Sequence, residues 1–259
     1  MKKTSRFFSI IVLLSFLLLQ GCIPMRKVVY MKNNPISDKE ISITPPVHHL
    51  EIGDILFVRV LNSNDKSYEF FNVETNTNSS ANNTSMASLY LNGSTINSLG
   101  MIELPVIGKI FLLGKNLEEA KVSIQKVVDE YLQDAIVIVK LANFQVTILG
   151  EVNNAGTFPV FKESVTIFEA LAMAGDLSDY ANRQKLKIVR THNNKKNIYA
   201  VDLTDQQLLL SDFYYLRNDD VIYVEPLKYR TFRKSQSQVV LSALTTLTLM
   251  VNVFLRITE

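Results

Sequence analysis

Two helix-start signatures 50 residues apart divide the body of this chain. Asn116 is followed three residues on by Glu119, and Thr166 by Glu169. In each pair the first side chain caps the N–H groups of the opening turn, and the acid reaches back to the cap, where the helix dipole also favours it. The first start leads into Leu117, Ala120, Ile124, Val127, Val128 and Tyr131, whose helical spacing predicts one buried stripe. The second runs to Gly175, a stop signal. Around them lie short runs of strand formers: Ile55 to Val60, Gly100 to Pro105 paired with Val106 to Leu112, Ile136 to Leu141, Phe144 to Leu149, Leu186 to Arg190, Ile198 to Val201 and Val221 to Val224. One short amphipathic helix covers one face of one small sheet. Two of them therefore predict two small modules of α+β class.

Composition removes other classes. With 47% hydrophobic and 20% charged residues, 9 Gly, 7 Pro and one Cys among 259 residues, the chain is not collagen-like, wholly disordered or built on a disulfide framework. Of 27 Lys and Arg, three fall before residue 21, which leaves 24 against 25 Asp and Glu. A body this close to neutral lacks the massed positive charge of a nucleic-acid binder.

Those three cations, Lys2, Lys3 and Arg6, precede an apolar run from Phe7 to Leu19 and the small residues Gly21 and Cys22. Residues 1–21 read as a secretory signal and stand outside the fold. Leu18-Leu19-Gln20-Gly21-Cys22 resembles a bacterial lipobox, which implies that Cys22, the only cysteine, carries lipid and begins the mature chain. Each buried acyl methylene is worth about 0.8 kcal/mol, so a multiply acylated terminus stays in its membrane. Ile23 after the cysteine, rather than Asp, resembles lipoproteins sorted to the outer membrane. Residues 22–46, polar and holding Pro24, Pro35, Pro45 and Pro46, read as a tether. The Asn/Ser/Thr-rich stretch 62–88 reads as a mobile loop.

The strand and helix motifs fall in the order of a known family. Asn92-Gly93-Ser94, Ile102-Glu103-Leu104-Pro105-Val106-Ile107-Gly108-Lys109-Ile110, the Gly114 turn, Glu118-Glu119-Ala120 and Asp134-Ala135-Ile136-Val137-Ile138-Val139 together resemble the polysaccharide export domain of Wza-like proteins. Val146-Thr147-Ile148-Leu149-Gly150-Glu151-Val152, Ala155-Gly156-Thr157-Phe158-Pro159-Val160, Thr166 to Leu171 and Leu216 to Val224 resemble the SLBB β-grasp module found beside it, with Asn218-Asp219 in place of the Gly usual before the closing strand. The resemblance implies a polysaccharide export domain over 47–143 and one SLBB domain over 144–227. It also implies a homo-oligomeric ring, of eight copies in the family, and an inner-membrane co-polymerase, often a tyrosine kinase, as partner. Within the second module, Gly150, Gly156 and Gly175 mark positions where a turn or close approach favours glycine. The loop from Gly150 to Gly156 reads as a hairpin turn or as a ligand loop.

After Leu227 the chain changes character. Lys228, Tyr229, Arg230, Phe232, Arg233 and Lys234 form a basic, aromatic collar suited to a membrane interface. From Ser235 to Ile257, thirteen of 23 residues are apolar, and as a helix the segment is about 34 Å long, enough for a hydrocarbon layer of roughly 30 Å. Ser235, Gln238, Ser242, Thr245, Asn252 and Arg256 share one helix face, while Val240, Leu241, Leu244, Leu247, Val251, Phe254 and Leu255 occupy the rest. Lipid penalises such a polar seam on a lone helix; a ring of helices turns every seam toward a shared lumen. In Wza-like exporters such C-terminal helices form the outer-membrane pore, so the resemblance makes these six residues pore-lining. A second anchor and a buried C-terminal helix are the competing readings.

Reactive chemistry has no positive signal. His48, His49 and His192 lack metal-ligand spacing, there is no GxSxG elbow, and Gly108 to Asn116 departs from a phosphate loop. His48-His49 reads as a solvated turn, and Asp219-Asp220 as a turn on a solvated edge. The expectation is a non-enzymatic protein with no metal and no cofactor: a translocon for capsular or extracellular polysaccharide, or alternatively a periplasmic glycan-binding or scaffold lipoprotein that forms no pore.

Overall fold

The computed structural model describes residues 29–36, 43–62, 71–72, 92–192 and 195–227, with 242–243, 245–246, 248–250 and 253 of the C-terminal segment. Two separate cores lie along the chain, one under each capped helix.

In the first module, β1 (Ile55–Leu61) is the centre of a three-stranded antiparallel sheet, flanked by β2 (Ser94–Thr95) and β5 (Ile136–Leu141). β3 (Met101–Leu104) and β4 (Gly108–Phe111) make a separate hairpin. Helix α1 (Leu117–Val128) starts as its sequence predicts: Asn116 accepts the Glu119 N–H, and Glu119 accepts the Asn116 N–H. Ala120, Ile124 and Val128, four residues apart, face inward onto Leu56, Val60, Ile102, Leu112 and Val137. Gln125 binds the helix to β5, its amide donating to Ala135 O and accepting from Val137 N–H. Tyr131, predicted on the buried stripe, is exposed. The helix ends at Val128 and the chain turns, so residue 131 leaves the 3.6-residue spiral and its ring lies edge-on to Phe71 instead.

Ala142 and Asn143 join the modules. Ala142 N–H donates to Ile55 O, and Asn143 Oδ1 accepts the Ile55 N–H.

The second module is a five-stranded mixed sheet in the order β10-β9-β12-β6-β7. Its strands are β6 (Gln145–Gly150), β7 (Gly156–Pro159), β9 (Ala181–His192), β10 (Lys195–Val201) and β12 (Val221–Pro226), with β8 (Val165–Thr166) and β11 (Tyr215–Leu216) as a small accessory pair. The first and last long strands of the module, β6 and β12, lie side by side and parallel at its centre. Helix α2 (Ile167–Met173) opens on the Thr166–Glu169 capping box and buries Ile167, Ala170 and Leu171 in one core with Val146, Ile148, Leu186, Ile188, Ile222 and Val224. Glu169 is held below the ordinary carboxylate range, first by the Thr166 backbone amide and then by Lys162.

Part of the stretch read as a tether belongs to this module. Residues 31–36 run beside the 203–206 segment. Met31 N–H donates to Leu203 O, Asn33 N–H to Thr204 O and Gln206 N–H to Asn33 O, and the Gln206 side chain closes on Met31 O and Ile36 N–H. Tyr30 packs its ring edge against Phe168, lies 5.2 Å from the Arg183 guanidinium and donates its hydroxyl to Asp176. Burial and Asp176 hold this phenol above its ordinary value, so it stays a donor. Polar composition concealed the docking, because the strap is held by backbone pairing and amide side chains rather than an apolar stripe.

The loop 62–88 lies outside the described residues except Asn62, Phe71 and Asn72. Of these, Phe71 is buried and Asn72 pairs with both backbone groups of Val60.

Candidate functional site

Three places bear on function: the corner after β6, the junction between modules, and the C-terminal segment. At the corner, Gly150 has φ +97° and lies so close to β12 that a Cβ would sit 2.2 Å from Val224 O. The central parallel pair requires glycine there. The chain then folds onto the end of α2: Asn153 and Asn154 N–H donate to Asp176 O and Ala174 O, the Asn153 amide to Gly175 O, and Ser178 Oγ donates to Glu151. Gly156 differs, since its φ is not positive and the nearest atom to a Cβ would be 3.8 Å away. The corner has the contacts of a packed turn. Several of its polar groups are paired with the turn that follows α2, at Ala174, Gly175, Asp176 and Ser178.

At the junction, His48 is not a solvated turn. Its Nε2 meets Asp54 Oδ2 at 2.8 Å, and Asp54, nearly buried, also accepts the Glu51 N–H. The Asp54 hydrogen bond raises the imidazole above its ordinary value against the opposing effect of burial. His49 contacts Gly114 O. Beside them a cleft of about 250 Å³ opens between the modules, with His48, Glu163, Arg217 and Asn218 as polar walls and Phe144 and Leu216 as apolar ones. These groups supply hydrogen bonds and charge. His48 is committed to a carboxylate that ties a loop, and among the described residues no group of three or more His, Cys, Asp or Glu is placed to hold a metal ion.

Asp220 likewise departs from expectation. Placed on a solvated edge by its sequence, it is buried and forms a salt bridge with Arg190 at 2.7 Å, while Arg190 also reaches Asp212 O and Tyr215 O. Leu186, Ile188 and Arg190 alternate onto the same inward face, and that parity in the sequence already aims Arg190 at the core. Asp219 occupies the left-handed region at φ +60°, a conformation that Asp tolerates better than most residues.

In the C-terminal segment, the eight described residues are all helical and all exposed, including Leu249, Met250 and Val253. Ser242 and Thr245 lie one turn apart on the polar seam. Thr246 and Thr248, off the seam, donate back to Ser242 O and Thr245 O, which satisfies them within the helix. The remaining seam residues, Ser235, Gln238, Asn252 and Arg256, lie outside the described residues, as does Cys22. Among the described residues no helix is long and apolar enough to cross a membrane.

Comparison with known families matches residues 43–142 to the polysaccharide biosynthesis/export protein family and residues 145–224 to the SLBB domain. The two matches abut at Asn143 and Phe144, where the two cores also divide. Both are families of export or binding proteins rather than enzymes. With these two modules in this order, the chain belongs to the polysaccharide export proteins of the Wza type.

Proposed function

We infer that this chain is an oligomeric outer-membrane lipoprotein that passes capsular or extracellular polysaccharide outward through a pore of C-terminal helices. The observation that carries it is the character of the C-terminal segment. Its described residues are helical, its seam residues Ser242 and Thr245 are solvent-exposed, and its apolar residues Leu249, Met250 and Val253 are uncovered by the body. Large apolar groups left exposed on a helix need lipid or a partner, and the seam needs water. A ring of such helices in a membrane meets both needs.

The strap supports the same arrangement. Tyr30 stands eight positions after Cys22, so a lipidated Cys22 lies within about 27 Å of the second module. Ser235 likewise stands eight positions after Leu227. Both membrane attachments thus leave from the SLBB module, which puts it next to the membrane and the first module toward the inner-membrane co-polymerase or kinase. Hydroxyl and amide groups along the seam give sugars weak, exchangeable contacts that favour passage over capture.

Deleting residues 235–259 is the direct test. Surface polysaccharide should disappear while the body still folds, and unchanged surface polysaccharide defeats the export role. Thiol labelling refines it: Ser242→Cys should react with a water-soluble reagent far faster than Leu244→Cys, and equal rates remove the one-sided lumen. A stable monomer in mild detergent supports the glycan-binding scaffold instead.

A further inference from the structure

The second module encloses a cation that it does not satisfy. Arg183, on β9, is 8% exposed, and its Nε and Nη1 are buried without a hydrogen-bond partner, a condition met by no other side chain among the described residues. Arg190, enclosed in the same module, shows what a matched guanidinium looks like, with Asp220 and two carbonyls around it. Unmatched donors on a buried charge are costly. Yet a carboxylate touches the same phenol that Arg183 does. Tyr30 donates its hydroxyl to Asp176 while its ring lies 5.2 Å from the Arg183 guanidinium, so the strap contacts both charges and joins neither to the other.

The strap that brings Tyr30 here is lightly held. None of residues 29–36 is buried. Beyond its backbone pairing it is fixed by amide side chains, with Asn33 Nδ2 donating to Thr204 Oγ1 at 2.7 Å and Asn34 Nδ2 to Asp205 Oδ2 at 2.8 Å, and water replaces bonds of this kind when a segment leaves. Met31 and Asn34 both sit at φ +50°. Asn tolerates the left-handed region, but a long side chain such as Met does so only with strain. Docking thus carries an unmatched guanidinium and a strained backbone against gains that are largely exchangeable with solvent.

We propose that the strap is a reversible latch with two positions that compete for Asp176: docked, Tyr30 holds the carboxylate; released, Arg183 takes it and gains water for its remaining donors. Such a local opening leaves the rest of the module folded. One consequence rests on the lipid anchor at Cys22 proposed above. With the strap docked, the anchor reaches the module through eight positions, about 27 Å at most. With it released, the next described residue is Ile43, which lines a cavity with Leu209 and Tyr215 and stands twenty-one positions after Cys22, a reach of about 70 Å. The latch therefore sets how far the body can stand from the membrane that holds it.

Amide exchange of the full chain in mild detergent, read by mass spectrometry, tests the latch. In the wild type, peptides covering Met31 and Asn33 should exchange faster than those of β6 and β12, which open only with the whole module. Arg183→Met keeps the length of the side chain and its contact with the Tyr30 ring, but removes the unmatched donors and the partner that Asp176 gains on release. It should slow exchange of the strap by about fivefold or more. A guanidinium that merely held the strap through the Tyr30 ring would give the opposite sign. Tyr30→Ala should bring the strap close to the unprotected rate with β6 and β12 unchanged. The proposal is overturned if the wild-type strap exchanges only together with β6 and β12, if Arg183→Met exchanges as fast as wild type or faster, or if β6 and β12 lose protection in either variant. None of these readings involves the lipid or the C-terminal helix, so the pore stands or falls separately.

Discussion

The two modules share one plan, a capped helix laid against a small sheet, yet they are held together differently. The first keeps its charges outside: among its described polar residues only Asp54 is buried. The second encloses Glu151, Arg183, Arg190, Thr204 and Asp220, and it recruits a strap from about 170 residues away in sequence. A buried ion pair seldom adds net stability over well-packed apolar groups, but leaving one member unpaired is severe. The first module is accordingly defined by apolar patterning along the chain. The second depends on polar contacts between distant segments, and it should break at single residues.

The largest effect expected from this contrast is at Asp220. Asp220→Ala leaves the Arg190 guanidinium buried with only carbonyl partners, and removing one member of such a pair costs about 3–5 kcal/mol. Urea unfolding should show that loss in the second module, with the first unaffected. A cap substitution in the first module, Asn116→Ala, should cost only about 1 kcal/mol, because water can replace what an exposed cap supplies. Equal losses at the two sites would erase the distinction.

Next comes the parallel pair at the centre of the second sheet. Gly150→Ala combines overlap with Val224 O and left-handed strain, together about 3 kcal/mol. Gly156→Ala meets only an ordinary contact with the Phe158 ring and should stay within about 1 kcal/mol of wild type. Thermal melting of the two variants separates a glycine the sheet requires from one it does not. A smaller effect follows at the strap. Tyr30→Phe removes the hydrogen bond to Asp176 but keeps the ring on Phe168, so a loss of about 1 kcal/mol is expected, read as faster amide exchange at Met31 and Asn33.

The same contrast explains how far the sequence could be read. Both helices, their caps and strands β1, β3, β4 and β5 of the first module follow from spacing and local side-chain chemistry, because each is settled within a few residues. Gly150 stands out as a needed glycine, though its sequence does not reveal that Val224 is the neighbour requiring it. The strap, Asp220 and His48 depart from expectation for one reason. Each looks solvated in its own neighbourhood and is enclosed only by a segment far away or by a turn whose shape the sequence does not specify. Two charged residues in succession at 219 and 220 imply a surface turn until Arg190, inward by strand parity, is placed opposite them. Of the C-terminal seam, only Ser242 and Thr245 are among the described residues, and both are helical.

The smallest effect should come from the first module's own buried acid, and it sharpens the comparison by its pH dependence. His48 has its pKa raised above 6.5 by the Asp54 hydrogen bond. A raised pKa in the folded state means that folding favours the protonated imidazole. The stabilisation is therefore fully present below the unfolded value and is lost as pH rises through the folded one. The first module should weaken slightly as pH climbs from about 6 into the region just above the ordinary imidazole range, and His48→Gln should flatten that slope while lowering stability on the acid side. The Arg190–Asp220 pair places no imidazole in the second core, so that core should show no such step. Unfolding followed separately in each module between pH 6 and 8 would test this, and a slope that persists in His48→Gln would assign the sensitivity to another group.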